Sequence, residues 1–193
     1  MFGFKSIPWL LLGIGVTAVA QAQDKTAALA ATCNNCHGVN GVSVGPSMPS
    51  IGGLPEAYLR TVMLQWKSGE RYSATMGRLI KGYSDQQIAD LAKHYAAKPW
   101  VPIAQPVAAN VLAQGKAASE RCATCHGETG SKPDDPAETP QIHGQWAKYM
   151  ELEMMKYRDS SVAMPHRRMR GNTQRLNEED VAAVAQYYAA QQK

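Results

Sequence analysis

Two five-residue stretches concentrate the residue types that do chemistry: Cys33-Asn34-Asn35-Cys36-His37 and Cys122-Ala123-Thr124-Cys125-His126. They hold all 4 cysteines of the 193-residue chain. Cysteines three positions apart share one helical turn, and a histidine directly after the second is the attachment signature of a c-type haem. The two thiols can bond covalently to the vinyl groups along one porphyrin edge, and the histidine Nε2 can reach the iron. Other uses of such cysteines fit less well. A zinc site takes its second pair about 15–20 residues after the first, whereas Cys36 and Cys122 are separated by 85 residues. A redox dithiol of the thioredoxin kind needs alternating strands and helices, a pattern absent here. Structural disulfides would leave the histidine after each pair without a reason. The motifs predict two covalently bound haem c groups, attached through Cys33, Cys36, Cys122 and Cys125, with His37 and His126 as axial iron ligands.

The sixth coordination position has several candidates among the 9 methionines. Electron-carrying haems commonly pair histidine with methionine, whose thioether raises the reduction potential. Met76 stands 43 residues after Cys33 in the loop Tyr72-Ser73-Ala74-Thr75-Met76-Gly77-Arg78, and Met169 stands 47 after Cys122 in Met169-Arg170-Gly171. Each lies twelve residues before the first apolar position of the last helical pattern in its part of the chain, Ile88 or Val181. That shared register selects Met76 and Met169 as partners of His37 and His126. Met164 and His166 are the alternatives at the second iron. Met164 is out of register beside Pro165, and a second histidine would lower the potential. Met63, Met150, Met154 and Met155 have apolar neighbours on helical patterns and read as core. A backbone carbonyl in the loops around Pro49 and Pro140 is placed to accept the Nδ1–H of each haem histidine and fix its ring.

Two copies of one unit must position these residues. Cys33 falls on Cys122 at an offset of 89, Pro49-x-Ile51-x-Gly53 on Pro140-x-Ile142-x-Gly144 at 91, and Met76, Ile88 and Tyr95 on Met169, Val181 and Tyr188 at 93. Self-similarity with a stepwise growing offset is an internal repeat with loop insertions. Between the copies, Pro99, Pro102 and Pro106 forbid a continuous helix and favour a stiff connection. Helical periodicity is expected from Pro55 or Glu56 to Ser68, after the capping box Ser84-x-x-Gln87, from Gly144 to Arg158, and from Glu178 to about Gln191 with Asn177 as N-cap. Short helices are expected before each cysteine pair, at about 24–31 and 107–121. Sustained alternation is lacking, so the fold predicted is all-α.

Residues 1–22 carry Lys5, an apolar stretch from about Ile7 to Val19 and Ala20-Gln21-Ala22, the three parts of a secretory signal peptide. The domains expected are a signal peptide over 1–22 and two units over 23–102 and 103–193, with a periplasmic location and no membrane span after cleavage. The charged fraction of 19% and hydrophobic fraction of 45% exclude a disordered chain. A formal charge of +4 without a basic cluster gives no support for a nucleic-acid partner. Both Phe residues lie in the first five positions, so a core rebuilt around a buried porphyrin accounts for the scarcity of aromatic side chains. Catalysis at a haem needs an open sixth position. Two methionines in register argue against it, so no catalytic residue is assigned and the chain is not read as an enzyme.

At this level the sequence resembles the diheme class I cytochromes c, and more closely the cytochrome subunit of flavocytochrome c sulfide dehydrogenase. The likeness is carried by Ser43-Val44-Gly45-Pro46-Ser47-Met48-Pro49-Ser50-Ile51, Lys67-Ser68-Gly69-Glu70, Thr75-Met76-Gly77-Arg78-Leu79-Ile80-Lys81-Gly82-Tyr83-Ser84, Gly144-Gln145-Trp146-x-x-Tyr149 and the run from Met164 to Met169. The resemblance implies two tandem cytochrome c-like domains about a pseudo-twofold axis, docked on an FAD-binding sulfide dehydrogenase subunit. That partner would oxidise sulfide and pass electrons through the haems to an acceptor such as a small cytochrome c. Met169-Arg170-Gly171 is also similar to free-standing diheme cytochromes that carry electrons to a terminal oxidase, which is the alternative. Residues 23–100 carry eight Lys/Arg against five Asp/Glu and residues 101–193 eleven of each, an asymmetry able to steer redox encounters.

Overall fold

The computed structural model describes residues 14–193, with side chains from Lys25 onward. The signal peptide expected over 1–22 therefore lies outside the described residues up to position 13 and continues as helical backbone from Ile14. Among the described residues there is no strand, and no helix is long and apolar enough to cross a membrane.

The first half consists of α1 (Ile14–His37), α2 (Glu56–Ser68), the single turn α3 (Met76–Leu79) and α4 (Asp85–Ala96). The second half repeats it as α5 (Ala109–Ala118), α6 (Glu120–His126), α7 (Ala147–Arg158), α8 (Arg167–Thr173) and α9 (Glu178–Ala190). Local signals set several boundaries as expected. Ser84 and Gln87 form a reciprocal capping box, Asn177 accepts from the Asp180 N–H, and Gly69 ends α2 at φ 86°.

Three boundaries differ from expectation. The helix before Cys33 does not stop near residue 31; it runs through the haem motif to His37, because nothing from Leu29 to Asn35 interrupts it. Its stop is Gly38, at φ 76°, where a Cβ would meet the Val42 carbonyl oxygen at 1.8 Å. In the second half the continuous helix expected over 107–121 is divided at Ser119, whose hydroxyl donates back to the Lys116 carbonyl at 2.9 Å. Helix α7 begins at Ala147 rather than Gly144, because Gly144 is left-handed (φ 61°) and Gln145 and Trp146 are directed into the first half.

Each half has its own core. In the first, Ala30, Leu59, Leu91, Ala92 and Tyr95 join α1, α2 and α4; in the second, Met150, Met154, Val181, Val184 and Tyr188 join α7 to α9. Gly115 lets α5 approach α9 so closely that a Cβ there would lie 2.2 Å from the Ala183 carbonyl oxygen. Equivalent backbone bonds recur in both halves: Gly53 N–H to Tyr95 O and Gly144 N–H to Tyr188 O, both 2.9 Å. The connecting segment threads between these two loops, with Trp100 against Gly53, Pro102 against Gly144, and Ile103 N–H bonded to Gly144 O at 2.8 Å.

Candidate haem sites

Each haem motif occupies the last turns of a helix, α1 or α6, so its two cysteines and its histidine project from one helix end. A left-handed glycine follows each histidine, Gly38 at φ 76° and Gly127 at φ 79°, and turns the chain sharply into the next loop. That loop returns to the histidine. The Pro49 carbonyl lies 2.9 Å from His37 Nδ1, and the Pro140 carbonyl lies 3.0 Å from His126 Nδ1. A carbonyl can only accept, so Nδ1 carries the proton and Nε2 keeps its lone pair for a metal. The loop carbonyls expected near Pro49 and Pro140 are thus those of the prolines themselves. Burial lowers the pKa of both imidazoles, against the opposing pull of the proline carbonyls, which keeps them in the neutral form that ligation requires.

No disulfide joins the four cysteines. The two pairs lie in separate halves, Cys33 and Cys36 on α1 and Cys122 and Cys125 on α6. Cys33 packs against the first core and Cys122 against the second, while Cys36 is exposed. Burial pushes the Cys122 thiol up to about 11 and raises that of Cys125.

The methionines expected from register both lie in short helices, at different positions within them. Met76 opens α3, its N–H accepted by Ser73 Oγ at 3.0 Å, and Met169 sits inside α8 against the second core. Both lie on short helical turns rather than in open loops, because Ser73 and His166 supply the first acceptors of those turns. Met164 is buried and its carbonyl accepts from Arg170, while His166 is half-buried ahead of α8.

One buried cation escaped the sequence reading. Arg71 is only 6% exposed and lies at the junction of the halves, donating through Nη2 to the Tyr157 hydroxyl at 2.7 Å. Burial raises the pKa of the Tyr58, Tyr149 and Tyr157 phenols around it, so they remain neutral. Its Nε has no partner, and no carboxylate among the described residues is within ion-pair distance of it. A buried guanidinium is costly unless paired. The Glu153 carboxylate, paired with Lys156, acts on it only from beyond ion-pair distance; an anion in direct contact is what this position lacks, and haem carries two propionate carboxylates. The residues present therefore fit the group. No pattern in the sequence distinguishes Arg71 from the exposed basic residues, because its burial depends on α7 of the other half.

Comparison with known proteins agrees with this geometry. The family model described as cytochrome c matches residues 112–190. Cytochrome c4 of Azotobacter vinelandii is 31% identical over 204 residues, covering 95% of this chain and 97% of its own. The crystal structure of reduced recombinant cytochrome c4 from Pseudomonas stutzeri superposes with a TM-score of 0.75 at 25% identity, over 89% of this chain and 97% of that one. The cytochrome subunit of sulfide dehydrogenase from Chlorobaculum tepidum is 37% identical, but over only 67 residues, 35% of this chain and 60% of its own. The nearer resemblance to that subunit, expected from the sequence, is therefore confined to a part, and cytochrome c4 is matched end to end. Two tandem cytochrome c folds, matched end to end, place the chain in the cytochrome c4 family of diheme electron-transfer proteins, with two covalently bound haem c groups.

Proposed function

We propose that the chain is a free-standing periplasmic diheme carrier, exported by a signal peptide over 1–22, that delivers electrons to a terminal oxidase. The observation that carries this reading is the end-to-end match to cytochrome c4, 95% of one chain against 97% of the other. Haem c supplies reversible one-electron iron chemistry. The chain's residues hold it: Cys33 and Cys36 in a first domain (23–102), and Cys122 and Cys125 in a second (103–193). His37 with Met76 and His126 with Met169 are the axial pairs. The proline carbonyls orient the histidines, and Arg71 offsets propionate charge. Each half packs the first cysteine of its motif against its own core, so the two irons have separate ligand sets and can be reduced in separate steps.

A second reading is an electron-accepting subunit on an FAD-containing sulfide dehydrogenase, favoured by the 67-residue stretch of 37% identity. Isolation of the tagged protein from its own host separates the two. The carrier is expected alone, with two low-spin ferric haems and no rapid reduction by sulfide. A co-purifying flavoprotein and prompt reduction by sulfide would overturn it in favour of the second reading. Replacing Met76 or Met169 by Ala should convert one haem each to a high-spin or water-ligated form; two unchanged spectra would reject these ligands.

A further inference from the structure

The two halves are not joined symmetrically at their haem loops. Ser50, which directly follows the His37-binding Pro49, is 2% exposed and has both backbone groups held by one side chain of the other half. Its N–H donates to Gln145 Oε1 at 2.9 Å, and Gln145 Nε2 donates to its carbonyl at 2.9 Å. A primary amide used in this way imitates a strand partner, and the reciprocal pair defines both position and tilt of the Ser50 peptide. Gln145 is itself fixed. It is 3% exposed, its backbone carbonyl accepts from Gln105 Nε2 at 2.9 Å, and the neighbouring Trp146 Nε1 donates to the Ser43 carbonyl at 3.2 Å. The Ser50 hydroxyl in turn accepts from the Ser43 N–H at 3.1 Å, which closes the His37 loop on itself.

The counterpart in the other direction is weaker. The repeat places Leu54 where Gln145 stands, and Leu54 has no amide to offer. The residue after Pro140 is Gln141, whose side chain makes one bond across the junction, Nε2 to Gly53 O at 3.1 Å, from a half-buried position. The first half holds the His126 loop farther along, where Trp100 Nε1 donates to the His143 carbonyl at 3.1 Å; no first-half side chain brackets the peptide of Gln141 as Gln145 brackets that of Ser50.

We propose that Gln145 is a positioning residue for the axial histidine of the other domain. It holds the Ser50 peptide, hence the Pro49 carbonyl, hence the His37 Nδ1–H, and so sets the potential of the first haem from the second domain. The inference rests on His37 as an iron ligand. A firmly held Nδ1–H···O bond makes imidazole a stronger donor, which favours ferric iron. Loosening it raises the potential of that haem alone.

The test compares the holoprotein with Gln145→Met, which keeps volume and loses both bonds to Ser50, and with Gln141→Met, which loses a bond across the same junction without touching Ser50. Spectropotentiometry resolves the two midpoints, and paramagnetic NMR follows hydrogen–deuterium exchange of each axial histidine Nδ1–H in the ferric protein. Gln145→Met is expected to raise one midpoint, leave the other, and speed exchange at His37 but not at His126; Gln141→Met should leave the first midpoint in place. Equal shifts at both haems, equal shifts in both variants, or unchanged His37 exchange in Gln145→Met would overturn the proposal. Should the unsubstituted protein show no haem-shifted His37 resonance, the ligand assignment fails first, and the two failures are distinguished.

Discussion

Gly115→Ala tests whether the second half is held by the closeness of α5 and α9. A Cβ at this position would lie 2.2 Å from the Ala183 carbonyl oxygen, 2.8 Å from its carbonyl carbon and 2.7 Å from Tyr187 Cβ. Ordinary contact begins at 3.4 Å, and two of the three atoms belong to backbone, so no rotamer change relieves the overlap. Helix α5 has to withdraw by about an ångström, opening the seam that holds Leu112, Ala118 and Cys122 on the second core. Overpacking costs about 1–3 kcal/mol, and an approach of 2.2 Å to backbone belongs at the upper end, about 2–3 kcal/mol. Alanine recovers up to about 1 kcal/mol of helix propensity, leaving a net loss of about 1–2 kcal/mol. For a chain of this size each kcal/mol moves Tm by about 2–4 °C, so a fall of about 2–8 °C is expected in thermal unfolding of the holoprotein followed by far-ultraviolet circular dichroism. Gly171 provides the control within the same half. It also lies inside a helix, α8, but an added Cβ meets nothing within 4 Å, so Gly171→Ala should hold or raise Tm. An unchanged or higher Tm for Gly115→Ala, or an equal fall in both variants, would refute the packing argument.

Other consequences can be checked in the same way. Arg71→Met should destabilise the holoprotein by about 3 kcal/mol if the guanidinium is paired with a haem carboxylate; a chemical denaturation midpoint that stays or rises would show the cation has no anionic partner. Tyr95→Phe loses the bond from its hydroxyl to the Ala30 carbonyl at 2.9 Å and should cost about 1 kcal/mol, whereas Tyr188→Phe, with 3.4 Å to the Gly127 carbonyl, should cost clearly less. Equal losses in urea titrations would contradict the geometry. The Lys67 ammonium, 2.7 Å from Asp85, holds that carboxyl below its usual range. The folded value is the lower one, so the contribution is present above the unfolded value of about 4 and lost as pH falls through the folded value. Asp85→Asn should therefore shift stability at neutral pH and not below that window, and a pH-independent effect would refute it.

Much of the fold was already in the sequence, for reasons local to each segment. The spacing of two thiols and a histidine is a property of one helical turn, and the repeat fixes how many such turns there are. The capping box at Ser84 and Gln87 and the N-cap at Asn177 act within four residues, so their boundaries needed no tertiary information. The register of Met76 and Met169 against Ile88 and Val181 likewise follows from the repeat. Helix ends without a local stop were different. The start of α7 was decided by a Gln-Trp pair directed into the other half, whereas α1 stops locally at Gly38, four residues from the Val42 carbonyl. Residues that bridge the halves were silent in the sequence, because neither Arg71 nor Gln145 differs in type from a solvated side chain. Arg71 becomes a buried cation only once α7 covers it, and Gln145 becomes a clamp only once Ser50 is brought to its amide across 95 residues of chain. Covalent chemistry and helix periodicity are short-range and are written in the chain order. The pairing of the two domains depends on surfaces that exist only after each has folded.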